Sequence, residues 1–199
     1  MSVSKADPAS QKKERNKSIR WVVTIFIITI VISAMISLLS EEIMAASSMA
    51  VAFVILLVIV MIGIVFDIIG VAVTSADEKP FNAMAARKVP GARQSITLLH
   101  NAERVSSICN DVIGDICGVV SGSASATIAV QILQNFEFSW PRIVSLVMSA
   151  LVAGFTVGGK AVGKTFAINS STQIVHFVGK VIYFFQTLPK LVIKKKNKR

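Results

Sequence analysis

Asp111 and Asp115 stand four residues apart in an otherwise apolar stretch, so on a helix both carboxylates share one face. Asn110 precedes them. Ser75-Ala76-Asp77-Glu78 closes an earlier apolar run, and Asp67 lies inside that run. Carboxylate, hydroxyl and amide oxygens are hard ligands that suit magnesium or calcium rather than zinc. Ser75, Glu78, Asn110, Asp111 and Asp115 are therefore candidate metal ligands. The same residues could equally be a hydrated rim where helices leave the bilayer. His100, His176, Cys109 and Cys117 form no CxxC or Cys/His cluster, which argues against a transition-metal site. No nucleophile–base pair stands out, and the expectation is that the protein is not an enzyme.

Gly158 to Thr165 has the spacing of a phosphate loop, Gly-x-x-x-x-Gly-Lys-Thr. That motif needs a preceding strand and a βαβ setting. A long apolar segment precedes it here, so phosphate binding is rejected and the Gly/Lys run is expected to break a helix. The small-residue run from Ser121 to Ala126 suits close helix packing or the lining of a pore.

The elements that must position these residues are membrane helices. Hydrophobic residues make up 53% of the 199-residue chain. Residues 21–40, 43–66, 116–136 and 143–159 contain no charged side chain. About 20 apolar residues, and at least about 17, span the hydrocarbon. The first stretch is too long for a simple signal peptide. The fold expected is all-α and polytopic, with about four transmembrane helices. Helix two is expected to run past its bilayer length to Val73, and Gly63 and Gly70 mark close packing or a bend. Helix three is expected over 105–133 and helix four over 142–159.

The net charge of +10 is distributed by side. Basic residues crowd residues 1–20, 79–104 and 190–199, whereas Glu41, Glu42 and Glu137 mark the intervening loops. Lys and Arg collect on the cytoplasmic side. Both termini are thus expected on the cytoplasmic side of a cell membrane, with 1–19 as a disordered basic tail and 191–199 as a second basic tail around a membrane domain at 20–190. The tails suit anionic lipid headgroups better than nucleic acid. No soluble small-molecule substrate is expected. Residues 79–104, with the turn Val89-Pro90-Gly91, read as a cytoplasmic helical hairpin. In 171–188, Gln173, His176, Lys180, Tyr183 and Thr187 share one face of an otherwise apolar helix. That pattern fits an amphipathic interface helix.

Four motifs in order resemble the membrane domain of the cyclin M (CNNM) and CorB/CorC family. Ser75-Ala76-Asp77-Glu78 is similar to its Ser-Ala-Ser-Glu signature. Gly91-Ala92-Arg93, Leu98-Leu99, Asn101, Glu103-Arg104 and Ser107 resemble the stretch that follows there. Ala126-Thr127-Ile128-Ala129 matches its Ala-Thr-Ile-Ala, and Gly159 to Ala167 resembles Gly-Glu-x-x-Pro-Lys-Thr-x-Ala. The resemblance covers roughly residues 50–190 and implies magnesium or cobalt transport or efflux through a cation site open to the cytosol. Ser75 and Glu78 carry over to that site, and Asn110 more loosely. A homodimer is a further partner to expect.

The departures are Lys160 in place of the family's glutamate and Gly163 in place of its proline. An extra amino-terminal helix is expected, and the paired CBS domains are expected to be missing. The alternative is a non-transporting regulatory or assembly subunit, in which the Lys160 ammonium takes the cation's place beside Glu78 or Asp115.

Overall fold

The computed structural model describes residues 8–136 and 140–196. These residues are helical apart from short turns. α1 runs over Pro8–Ala45, α2 over Met49–Ser75, α3 over Lys79–Ala86 and α4 over Ala92–His100. α5, Ala102–Ser107, continues through a π-helical turn, Ile108–Gly114, into α6, Asp115–Asn135. α7 covers Pro141–Asn169 and α8 covers Ser171–Lys196. Among the described residues, four segments are long and apolar enough to cross a membrane: Ile19–Met44, Met49–Ser75, Ala102–Asn135 and Pro141–Asn169. By length and composition the chain is a multi-pass membrane protein.

α2 is the central element and packs on α6, α7 and the π-turn, while α1 lies mainly along α6. Their apolar side chains are largely exposed, as lipid-facing residues are when no bilayer surrounds them. On α1 these include Phe26, Ile30 and Leu38. The core lies in tiers. Met44, Ala52, Leu56, Val60, Ala124 and Ile128 fill the end that holds the α1–α2 connection. There Gln131 donates its amide N–H to the Met44 carbonyl at 2.9 Å, supplying a partner to a helix-end carbonyl. Val112, Ile116 and Val120 pack against Ile25 and Ile59 in the middle. Ala72, Val73, Phe81, Ala167 and Val175 fill the opposite end, where α3, α4 and α8 gather.

α3 and α4 form a helical pair closed by Gly91, whose φ of 88° is left-handed and favours glycine. A Cβ on Gly91 would meet the Lys180 backbone nitrogen at 2.6 Å, and one on Gly179 would meet the Gly91 carbonyl at 2.6 Å. The two glycines thus let the α4 and α8 backbones touch. Ser95, fully buried, donates across the joint to the Val175 carbonyl at 3.1 Å. Gln94 donates to Gln186 at 3.0 Å farther along.

Several boundaries differ from the sequence expectation. Helical backbone starts at Pro8, inside the stretch read as a tail, and α8 extends to Lys196. Residues 1–7, the loop residues 137–139 with Glu137, and residues 197–199 lie outside the described residues. α2 is unbroken, so Gly63 and Gly70 serve packing rather than a bend. The expected break after residue 159 is corrected: α7 continues without interruption to Asn169. Glycine weakens a helix by about 1 kcal/mol in water. Here Gly159 and Gly163, four apart, instead let α7 close on Ile64 and Ile68 of α2.

Candidate functional site

Asp67 sits on α2 a turn before Gly70 and is buried, with its side chain 7% exposed. Its Oδ1 lies 3.7 Å from the Lys160 Nζ of α7, whose side chain is 22% exposed. The same ammonium reaches the Gly114 carbonyl oxygen at the end of the π-turn, at 3.5 Å. Three elements therefore meet at one ion pair: α2 supplies the anion, α7 the cation, and the π-turn a backbone acceptor. An isolated charge in such a place would be costly, and a partner offsets that cost.

The helix register explains the meeting. Gly63 of α2 faces Cys117, where an added Cβ would come within 2.9 Å of the Cys117 Cβ. Gly70 faces the Asn110 side-chain amide, which occupies the space a Cβ would need. The antiparallel pairing is thus fixed at two points, with Asp67 and Gly114 between them. On α7 the flanking Gly159 and Gly163 bring the backbone close enough for Lys160 to reach across.

Two buried side-chain oxygens at this junction have no hydrogen-bond partner, Asp67 Oδ2 and Asn110 Oδ1. Asn110 uses its amide N–H on Ser106 Oγ at 3.1 Å, which turns the carbonyl oxygen toward α2. Buried polar atoms without partners are rare and point to strain, to a catalytic role or to a bound species.

The other residues singled out from sequence occupy different places. Ser75, at the end of α2, is exposed. Glu78 builds the α2–α3 corner. Its Oε1 accepts from Asn82 at 3.2 Å and contacts His100 Nε2 at 3.3 Å. Asp111 is exposed, and Ser107 donates to its Oδ2 at 2.9 Å. Asp115 is exposed as well. Of the five residues, Asn110 is brought to the buried junction, while Ser75, Glu78, Asp111 and Asp115 remain open to the surroundings. Among the described residues, no three of the His, Cys, Asp and Glu side chains are gathered as a metal-holding group. The expected place of Lys160 beside Glu78 or Asp115 is corrected. Its carboxylate partner is Asp67 instead, because the glycines of α7 dock beside Asp67 and not at either of those positions.

Sequence reasoning marks Asp67 as a charge inside an apolar run and Lys160 as a departure from the family's glutamate but does not join them. The Gly114 carbonyl carries no signal, since a backbone acceptor is exposed by geometry and not by residue type. No protein family, curated protein or solved structure matches the chain.

Proposed function

We propose that the chain handles a divalent cation, magnesium first and cobalt second, by membrane transport or efflux in the manner of the CorB/CorC membrane domain it resembles. The observation that carries this reading is a set of two unpartnered buried oxygens, Asp67 Oδ2 at the Lys160 ion pair and Asn110 Oδ1 against Gly70 a turn along α2. Ionisable groups within membrane helices are expensive and generally functional. Oxygen donors of this kind suit a hard cation. In this reading Ser75, Glu78, Asn110, Asp111 and Asp115 supply oxygens at the same end of the bundle. The bundle alternates around a partly dehydrated ion, and Lys160 withdraws from Asp67 as the ion passes.

The reading places both termini and the α3–α4 pair in the cytoplasm of a multi-pass cell-membrane protein, because the Lys/Arg-rich segments flank them. α8 lies in the membrane interface. Its Val175 and Gly179 pack inward, while Phe177, Phe184 and Phe185 are exposed and available to acyl chains. Gln173 and Lys180, also exposed, take the water-facing stripe next to anionic headgroups. Assembly as a homodimer belongs to the same reading, and no catalysis is involved.

A second reading has one observation in its favour: the Lys160 ammonium stands where a cation would stand. A regulatory or assembly subunit derived from the same domain would be locked in that way. The test is magnesium entry into liposomes holding the reconstituted full chain, read with an internal indicator dye. Flux by the wild type, reduced at least about tenfold (about 1.4 kcal/mol) by Asp67→Asn or Glu78→Ala, supports transport. An inactive wild type under a magnesium gradient overturns transport in favour of the subunit.

A further inference from the structure

Lys160 fills its site imperfectly. Charge-assisted N–H···O bonds run about 2.7–2.9 Å. The Lys160 Nζ stands 3.7 Å from Asp67 Oδ1 and 3.5 Å from the Gly114 carbonyl. Both contacts are long by more than half an ångström, and Asp67 Oδ2 is left unpartnered in a side chain only 7% exposed. The reason lies in the backbone. Gly159 and Gly163 already press α7 against Ile64 and Ile68, and an added Cβ on either would come too close to those side chains. The helix cannot approach farther, so the side chain must present its nitrogen from where α7 stops.

The chemistry of the place is specific. It offers one negative charge and a backbone carbonyl, with a second unpartnered side-chain oxygen on Asn110 a turn away. A single positive charge balances it. Asp67 alone balances a monovalent ion, and a divalent ion needs the further carboxylates that the transport reading draws on. We propose that the Asp67–Gly114 pocket is a binding site for a primary ammonium ion and that Lys160 is its tethered occupant. A free primary ammonium, released from the reach of α7, takes the position more closely when the lysine is removed. This inference rests on the reading of the bundle as a cation-handling protein. It concerns a different ligand class from the divalent ion assigned to that reading.

The test uses the full-length Lys160→Ala variant in detergent or nanodiscs. Thermal unfolding is followed while methylammonium chloride is titrated at constant ionic strength. Tetramethylammonium, which has the charge but no N–H donor, is the control. Methylammonium should raise the Tm of Lys160→Ala in a saturable way, by about 2–4 °C for each kcal/mol of linked binding. The wild type, already occupied, should not respond. The double variant Asp67→Asn/Lys160→Ala, which lacks the anion, should not respond either. Equal shifts with tetramethylammonium, or the same shift in the wild type or the double variant, overturn the proposal. Should Lys160→Ala fail to fold alone, recovery of monodisperse protein by methylammonium and not by tetramethylammonium supports it, and failure with both overturns it. Magnesium flux by the wild type is a separate readout. Flux without ammonium binding sinks this inference alone, and ammonium binding without flux sinks the transport reading alone.

Discussion

Replacing Asp67 by Asn removes the anion and leaves Lys160 in a half-closed, water-poor place. At the observed 3.7 Å, two unit charges attract by about 4.5 kcal/mol at an effective dielectric near 20. Lys160 keeps 22% of its side chain exposed, so water reclaims part of that energy. A destabilisation of about 3 kcal/mol is expected, at the lower end of the roughly 3–5 kcal/mol seen when one member of a buried pair is removed. For a chain of this size that corresponds to a Tm lower by about 6–12 °C. Lys160→Met leaves the buried Asp67 carboxylate alone and should cost a similar amount. The double variant Asp67→Asn/Lys160→Met has no charge left to strand, and it should be more stable than either single variant. The coupling energy is then at least about 3 kcal/mol. Equilibrium unfolding in mixed micelles, followed by circular dichroism, gives all four corners of the cycle. Additivity within about 0.5 kcal/mol would refute the pairing and the site built on it.

Gly63→Val should destabilise the chain by about 1–3 kcal/mol in the same assay, because a Cβ at residue 63 already comes within 2.9 Å of the Cys117 Cβ. An unchanged midpoint would mean that α2 and α6 are not in this register. His176 on α8 has a buried, unpartnered Nδ1, and its pKa is lowered, first by burial and then by the nearby Lys180 charge. The folded state therefore favours neutral imidazole. The contribution is complete above the unfolded pKa of about 6.5 and is lost as pH falls through the lower folded value. Acidification from about pH 7.5 to 5 should lower the wild-type Tm more than that of His176→Gln, and equal slopes would contradict this. Reporters fused at residues 10, 95 and 199 should read cytoplasmic and one at residue 138 external, and an external carboxy terminus would sink the four-span topology with both ends inside.

The four long helices are legible in the sequence because a charge-free run of bilayer length matches the thickness of the hydrocarbon and little else in a protein of this size. Helix ends are less so. Residues 158–164 read as a break because glycine disrupts helices in water, yet Gly159 and Gly163 lie inside α7 and serve as its contact surface with α2. In a membrane, where apolar burial gives helices little reason to associate, small residues mark packing more often than interruption. The π-turn at Ile108–Gly114 is invisible for a different reason. It widens the helix without any change in composition, so nothing in Ile-Cys-Asn-Asp-Val-Ile-Gly announces it.

The site shows the limit of spacing arguments most clearly. Asp111 and Asp115 invite attention because they are near in sequence, and Glu78 because it ends a recognisable signature. The structure leaves Asp111 and Asp115 exposed and uses Glu78 at a corner with Asn82 and His100. The buried charge belongs to Asp67, far along the chain from Lys160. Their contact depends on three packing facts at once: Gly63 on Cys117, Gly70 on Asn110, and Gly159 with Gly163 on Ile64 and Ile68. Each of those glycines says little alone. Together they determine which side chains can meet, since α2 must lie close to both neighbours before Lys160 can reach Asp67. A charge inside a membrane helix is therefore best read together with the glycines of the helices around it. The charge says that a partner is required, and the small residues say which helix is near enough to provide it.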